Sequence, residues 1–91
     1  MPYKIILHGN VQGVGCRSYC ERTALAMRLH GSATNNPDGT VSVVLRTDDE
    51  KKSSDYAEAL RTNKFGLRFW GNFRRIEVFF CSENSDGDYN W

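Results

Sequence analysis

Nine consecutive residues, Gly9, Asn10, Val11, Gln12, Gly13, Val14, Gly15, Cys16 and Arg17, form the stretch best suited to chemistry on an anion. An apolar run over residues 3–7 precedes them and reads as a strand, while residues 17–24 read as the start of a helix. Three glycines within seven positions let the backbone take positive φ and approach a ligand closely. A strand, a glycine-rich turn and a helix N-terminus together gather N–H donors and the positive end of a helix dipole, which is an anion site. Arg17 adds a permanent charge with a planar fork of donors matched to phosphate oxygens. The same spacing also folds tight turns that bind nothing. A second pattern overlaps the first. Cys16, Arg22 and Thr23 fit C-x5-R-[ST], the arrangement in which a thiolate attacks phosphorus. The five residues between Cys16 and Arg22 contain no glycine and read as helix, so Arg22 is expected to project away from the thiol.

Around that stretch the chain must supply a scaffold. Its 91 residues suit one domain over 1–91 with a single core. Hydrophobic content of 40% and charged content of 25% are ordinary for a globular protein. A net charge of +1 gives no electrostatic case for nucleic acid or an anionic membrane, so any anion site is local. No apolar run approaches membrane-spanning length, and the first residues do not open a signal peptide. Cys16, Cys20 and Cys81 are an odd count without framework spacing, which favours reduced thiols and a cytoplasmic location. Zinc-type ligand pairs and His-Glu clusters are lacking, so no metal is expected. His8 and His30 read as structural or solvent-facing.

The elements follow from periodicity. Residues 3–8 alternate Tyr3, Ile5 and Leu7 against Lys4, Ile6 and His8, and Ile6 on the second face predicts a central strand covered on both sides. Cys16, Cys20, Thr23, Ala24 and Met27 form a helical stripe opposite Glu21, Arg22 and Arg28, predicting a helix over 16–29 with Gly31 as its C-cap. Residues 32–35 and 40–45 read as a hairpin about a type I turn at Asn36-Pro37-Asp38-Gly39. Residues 48–54 read as a surface connection, and Tyr56, Ala57 and Leu60 as a second amphipathic helix ending near Thr62. Residues 63–72 alternate poorly and stay unassigned. Residues 73–81 read as a strand, 83–87 as a turn-rich loop, and 88–91 as a short last strand. Strands joined through helices favour parallel pairs, and the hairpin adds an antiparallel one. The economical solution is an α+β, ferredoxin-like βαββαβ two-layer sandwich: a mixed, mainly antiparallel sheet with two helices on one face.

The run from Leu7 to Arg17 resembles the first signature of the acylphosphatases, G-x-V-Q-G-V-x-[FM]-R. Gly31-Ser32-Ala33-Thr34-Asn35 followed by Gly39-Thr40-Val41 resembles their second, and element order and length agree over essentially the whole chain. The resemblance implies a ferredoxin-like fold and hydrolysis of the carboxyl-phosphate bond of acyl phosphates without metal or other cofactor. Carried over by position, it implies that backbone N–H groups of Gly9, Asn10, Val11, Gln12, Gly13, Val14, Gly15 and Cys16 hold the phosphate. Arg17 matches the family's phosphate-binding arginine, and Asn35 the asparagine that positions the attacking water. Cys16 stands where Phe or Met is usual, Ser32 replaces an aromatic residue, and Thr34 replaces a larger, often basic one. Residues 63–72 also depart from the family's usual short connection.

That chemistry suits what the chain lacks. A carboxylate leaving group has a conjugate-acid pKa of about 4, so it departs without a general acid. Phosphoryl transfer then rests on positioning and charge stabilisation. The expected partner is a small-molecule acyl phosphate substrate, and the chain is expected to act as a monomer. The rival from another class is a non-catalytic anion-binding or regulatory module on the same fold, and Asn35 is the residue that favours catalysis over it. An RNA-binding version would need exposed aromatics on the central strands, and residues 40–45 offer none. As a purely structural residue, Asn35 would bond the neighbouring hairpin backbone.

Overall fold

A computed structural model describes residues 3–80 and 89–91. In chain order the elements are β1 (Tyr3–Asn10), α1 (Cys16–Ala26), β2 (Gly31–Asn35), β3 (Val41–Leu45), α2 (Glu50–Thr62), β4 (Asn72–Phe80) and β5 (Tyr89–Asn90). The five strands form one sheet in the order β4-β1-β3-β2-β5. This is the expected βαββαβ sandwich, closed at its β2 edge by the short last strand. Cys81 and the loop expected over 83–87 lie outside the described residues. No helix among the described residues is long and apolar enough to cross a membrane.

Every pairing in the sheet is antiparallel, which corrects the expectation of a mixed one. The reason lies in the crossovers. Helix α1 joins β1 to β2, which run the same way, but β3 is inserted between them; α2 joins β3 to β4, and β1 is inserted there. Each helix-linked pair therefore skips one place, and no parallel neighbours remain.

Both helices pack on one face. Ile5, Val43 and Ala33 lie in register across β1, β3 and β2, and with Leu7, Val41 and Leu45 they are 0% exposed. The helices bring Cys16, Tyr19, Cys20 and Ala24 from α1 and Tyr56 and Leu60 from α2 into the same cluster. The opposite face of β1 carries Lys4, Ile6 and His8, none of them fully buried. Neither helix packs on that face, yet Ser32, Ser42 and Val44 on it are buried, so the expected cover on both sides is met by helices on one side only. On the face away from the helices His8 Nε2 meets Glu77 Oε1 of β4 at 2.6 Å.

The helix ends differ from expectation for local reasons. Helix α1 stops at Ala26, earlier than the apolar stripe implied. Arg28, at φ 60, takes the left-handed position that closes a Schellman motif. Its N–H donates to Leu25 O at 3.1 Å, and Leu29 N–H to Ala24 O at 2.8 Å. Gly31, read as the cap, is instead the first residue of β2. A Cβ there would sit 2.0 Å from Val44 O, so the sheet itself requires glycine. Helix α2 begins at Glu50, inside the stretch read as a connection, because the Asp49 carboxylate caps it by accepting from Lys51 and Lys52 N–H. The unassigned residues 63–71 are irregular but anchored. Phe69 stacks on Tyr19 with ring centres 4.6 Å apart, and Trp70 N–H donates to Val14 O at 3.3 Å.

Candidate active site

Strand β1 ends at Asn10 and helix α1 starts at Cys16, so residues 11–15 make the whole turn. Gly13 and Gly15 adopt φ 72 and 79, values that β-carbons disfavour. The turn is pinned at several points. Val11 is 1% exposed and Val14 packs against the core. The Gln12 side-chain amide donates to Asn36 O at 2.7 Å and Thr40 O at 2.9 Å, tying the turn to the β2–β3 hairpin.

The hairpin turn is itself held firmly. Gly39 N–H donates to Asn36 O at 3.1 Å, as the expected β-turn requires. Asn36 Nδ2 donates to Thr40 Oγ1 at 3.0 Å and Ser42 Oγ at 2.7 Å. Asp38 Oδ1 accepts from the Thr40 hydroxyl at 2.6 Å and its N–H at 3.0 Å, and these bonds hold its carboxyl below the usual range. Asn35, the last residue of β2, is thereby placed next to the glycine turn.

Between turn and hairpin lies a cavity of about 180 Å³. Val11, Gly13, Gly15, Cys16 and Arg17 border it from one side of the chain and Asn35 from the other. Ser18 borders it too, a residue that the motifs do not single out; its one signal is position, in the first turn of the helix that follows the loop. Gly9, Asn10, Gln12 and Val14 do not border it. Gly9 and Asn10 belong to β1, opposite Phe73 and Asn72 of β4. Gly9 is glycine because a Cβ would lie 2.5 Å from Asn72 O.

Two features of this cavity bear on its chemistry. The first N–H groups of a helix have no intrahelical acceptor. At α2 the Asp49 side chain takes two of them, whereas at α1 no side chain caps and no acid stands in the first turn. The uncapped start of α1 borders the cavity, and Arg17 is one of its residues there. Asn35 supplies the second feature. Its half-buried side chain makes no hydrogen bond to another described residue, unlike that of Asn36. The structural role considered for Asn35, bonding the hairpin backbone, is not seen among the described residues; its neighbour Asn36 braces the hairpin through the Thr40 and Ser42 hydroxyls.

The cysteine pattern does not come together. Cys16 is 1% exposed, with its Sγ 3.9 Å from that of Cys20, and Arg22 is exposed on α1 and does not border this cavity. Burial pushes the Cys20 thiol well above its usual value, with the Cys16 contact adding to the shift. Such thiols are inert packing groups. Among the described residues no three His, Cys, Asp or Glu side chains lie together in a way that could hold a metal ion.

Comparison with known proteins agrees with this geometry. The family model described as acylphosphatase matches residues 3–70. The acylphosphatase of Nitratidesulfovibrio vulgaris is 41% identical over 75 residues, covering 82% of this chain and 65% of that protein. That of Lactococcus lactis is 39% identical over 61 residues, covering 67% of this chain and 63% of that protein. The matches thus span just under two thirds of each relative. Among solved structures, acylphosphatase from Bacillus subtilis superposes with a TM-score of 0.72 at 25% identity, covering 94% of this chain and 93% of that one. The Coxiella burnetii acylphosphatase, at 19% identity and a TM-score of 0.68, shows the same fold over 94% of this chain and 87% of its own. Sequence match over residues 3–70, fold and the turn-to-helix cavity converge: the chain belongs to the acylphosphatase family.

Proposed function

We propose that this domain hydrolyses acyl phosphates to a carboxylate and inorganic phosphate, with the phosphate seated in the turn-to-helix cavity. Backbone N–H groups along the turn and at the start of α1 bind the phosphate oxygens, and Arg17 neutralises their charge. The Asn35 amide holds a water against phosphorus. The water oxygen forms the new P–O bond as the bond to the carboxylate oxygen breaks, the electron pair leaves with the carboxylate, and the water's protons pass to phosphate and solvent. No general acid is needed, because a carboxylate is a stable leaving group. Positioning and charge stabilisation carry the reaction. All the groups named come from one chain.

The observation that carries this reading is the meeting, at one cavity, of Arg17 and an Asn35 amide that bonds no other described residue. A site built only to bind an anion has no use for the amide. The test is hydrolysis of benzoyl phosphate with chelator present. Turnover supports the reading. Phosphate binding without turnover of any acyl phosphate would instead identify a non-catalytic anion-binding module.

A further inference from the structure

Beside the phosphate cavity lies a second hollow, of about 310 Å³, and the two share Gly15 and Ser18. Its remaining walls are Arg22 from α1 and Arg68 and Trp70 from the irregular segment before β4. Trp70 is 70% exposed, an unusual position for an indole. Its ring nevertheless lies against the loop, since a Cβ built on Gly15 would be 3.7 Å from it. The Trp70 N–H bond to Val14 O fastens this wall to the phosphate turn, and the Arg68 guanidinium lies 5.9 Å from the ring centre.

The charge in this hollow is uncompensated. Arg61 and Arg75 pair with Glu58 and Glu77, but neither Arg22 nor Arg68 has an acidic partner among the described residues. No carboxylate of the described residues borders the hollow either. Two arginines from distant parts of the chain therefore line one space, next to an aromatic surface, in a protein of net charge only +1. In-line attack puts the leaving group on the side of phosphorus away from the water. Asn35 borders the first cavity but not the second, so the hollow lies where an acyl group can leave. We infer that this hollow is the acyl-group subsite and that Arg22 and Arg68 make it select acyl phosphates whose acyl portion carries a second negative charge. The inference rests on the acyl phosphate reading and adds the substrate class.

The experiment compares three substrates, benzoyl phosphate, 4-carboxybenzoyl phosphate and the neutral isostere 4-carbamoylbenzoyl phosphate, on the parent and on an Arg22→Gln, Arg68→Gln double variant. The parent is expected to favour the carboxylate over the amide by about tenfold or more in kcat/KM, the scale of a charge-assisted bond, with the gain in KM. The double variant should lose that preference while turning over benzoyl phosphate as the parent does. Equal kcat/KM for carboxylate and amide in the parent, or a preference that survives in the double variant, overturns the subsite and leaves the activity standing. Failure to turn over benzoyl phosphate at all overturns the activity and the subsite with it.

Discussion

The half-buried Asn35 side chain bonds no other described residue, and a water bound in the cavity is the partner its position favours. The two polar residues at this cavity are then separable by experiment. Asn35→Ala is expected to remove nearly all turnover and leave inorganic phosphate affinity within a few-fold of the parent, as titration calorimetry would register. Arg17→Ala is expected to lose about a hundredfold or more in kcat/KM and to weaken phosphate binding as well. Equal damage to phosphate affinity by both variants would make Asn35 a binding group. Cys16→Ala should keep most activity, because its thiol is buried against Cys20, at a stability cost of about 1 kcal/mol. A dead Cys16→Ala variant that still folds would return the thiolate mechanism to contention. Much of this site is legible in the amino-acid sequence: glycine spacing points to the turn, and family resemblance points to Arg17 and Asn35. The role of Gln12 is not legible there. Its position in the signature implies a phosphate contact through its N–H, yet its side chain is spent on tying the turn to the hairpin. Such a tie spans residues far apart in sequence and leaves no local pattern.

At the scale of elements, periodicity locates the long segments well and their ends poorly. The strands over 3–8, 40–45 and 73–81 and the hairpin turn stand nearly as the pattern predicts. The ends of both helices differ, because capping depends on single side chains and on backbone angles that hydrophobic periodicity does not report. Arg28, expected on the polar face of the helix, takes the capping position expected of Gly31, while Gly31 opens β2, and this gives a paired prediction. Arg28→Gly should raise stability by about 1 kcal/mol, since a β-carbon in the left-handed region costs roughly that much. Gly31→Ala should lose about 3 kcal/mol or more, because the added carbon would meet the Val44 carbonyl in the middle of the sheet. Urea unfolding of the two variants decides. Were Gly31 the helix cap instead, its replacement by alanine would cost only about 1 kcal/mol.

Taken whole, the molecule joins its two helices by a reciprocal clasp that periodicity could not show. Tyr19 of α1 donates to Leu60 O of α2 at 2.7 Å, and Tyr56 of α2 donates to Cys20 O of α1 at 2.8 Å. The helical stripe drawn from the sequence passes over Tyr19, since tyrosine is as often exposed as buried. Here both phenols are buried with their hydroxyls satisfied, and the Cys20 thiol is buried in the same core. Three acids are consequently held in their neutral forms. Burial, with smaller effects from Cys20 and Cys16, pushes the Tyr19 phenol up to about 12 from 10.0. Burial likewise raises Tyr56 well above 10.0 and Cys20 well above 9.0. An acid whose pKa is raised on folding contributes its stability fully below its unfolded value, and that contribution is lost as pH climbs toward the folded value. The unfolded chain therefore releases protons first at Cys20, near pH 9, and then at the two tyrosines near pH 10. Each group ionised only in the unfolded chain removes about 1.4 kcal/mol per pH unit. The urea midpoint should hardly change between pH 7 and 8.5 and then fall steeply, with the slope increasing above pH 10. Tyr56→Phe should begin from a lower stability, having lost its bond to Cys20 O, yet show a shallower fall above pH 10 because one titrating group is gone. Unfolding curves for parent and variant at half-unit steps from pH 7 to 11 measure both slopes. A parent midpoint that stays level to pH 11 would mean that the two phenols and the Cys20 thiol reach water in the folded protein, and the clasp would not be the closed core described here.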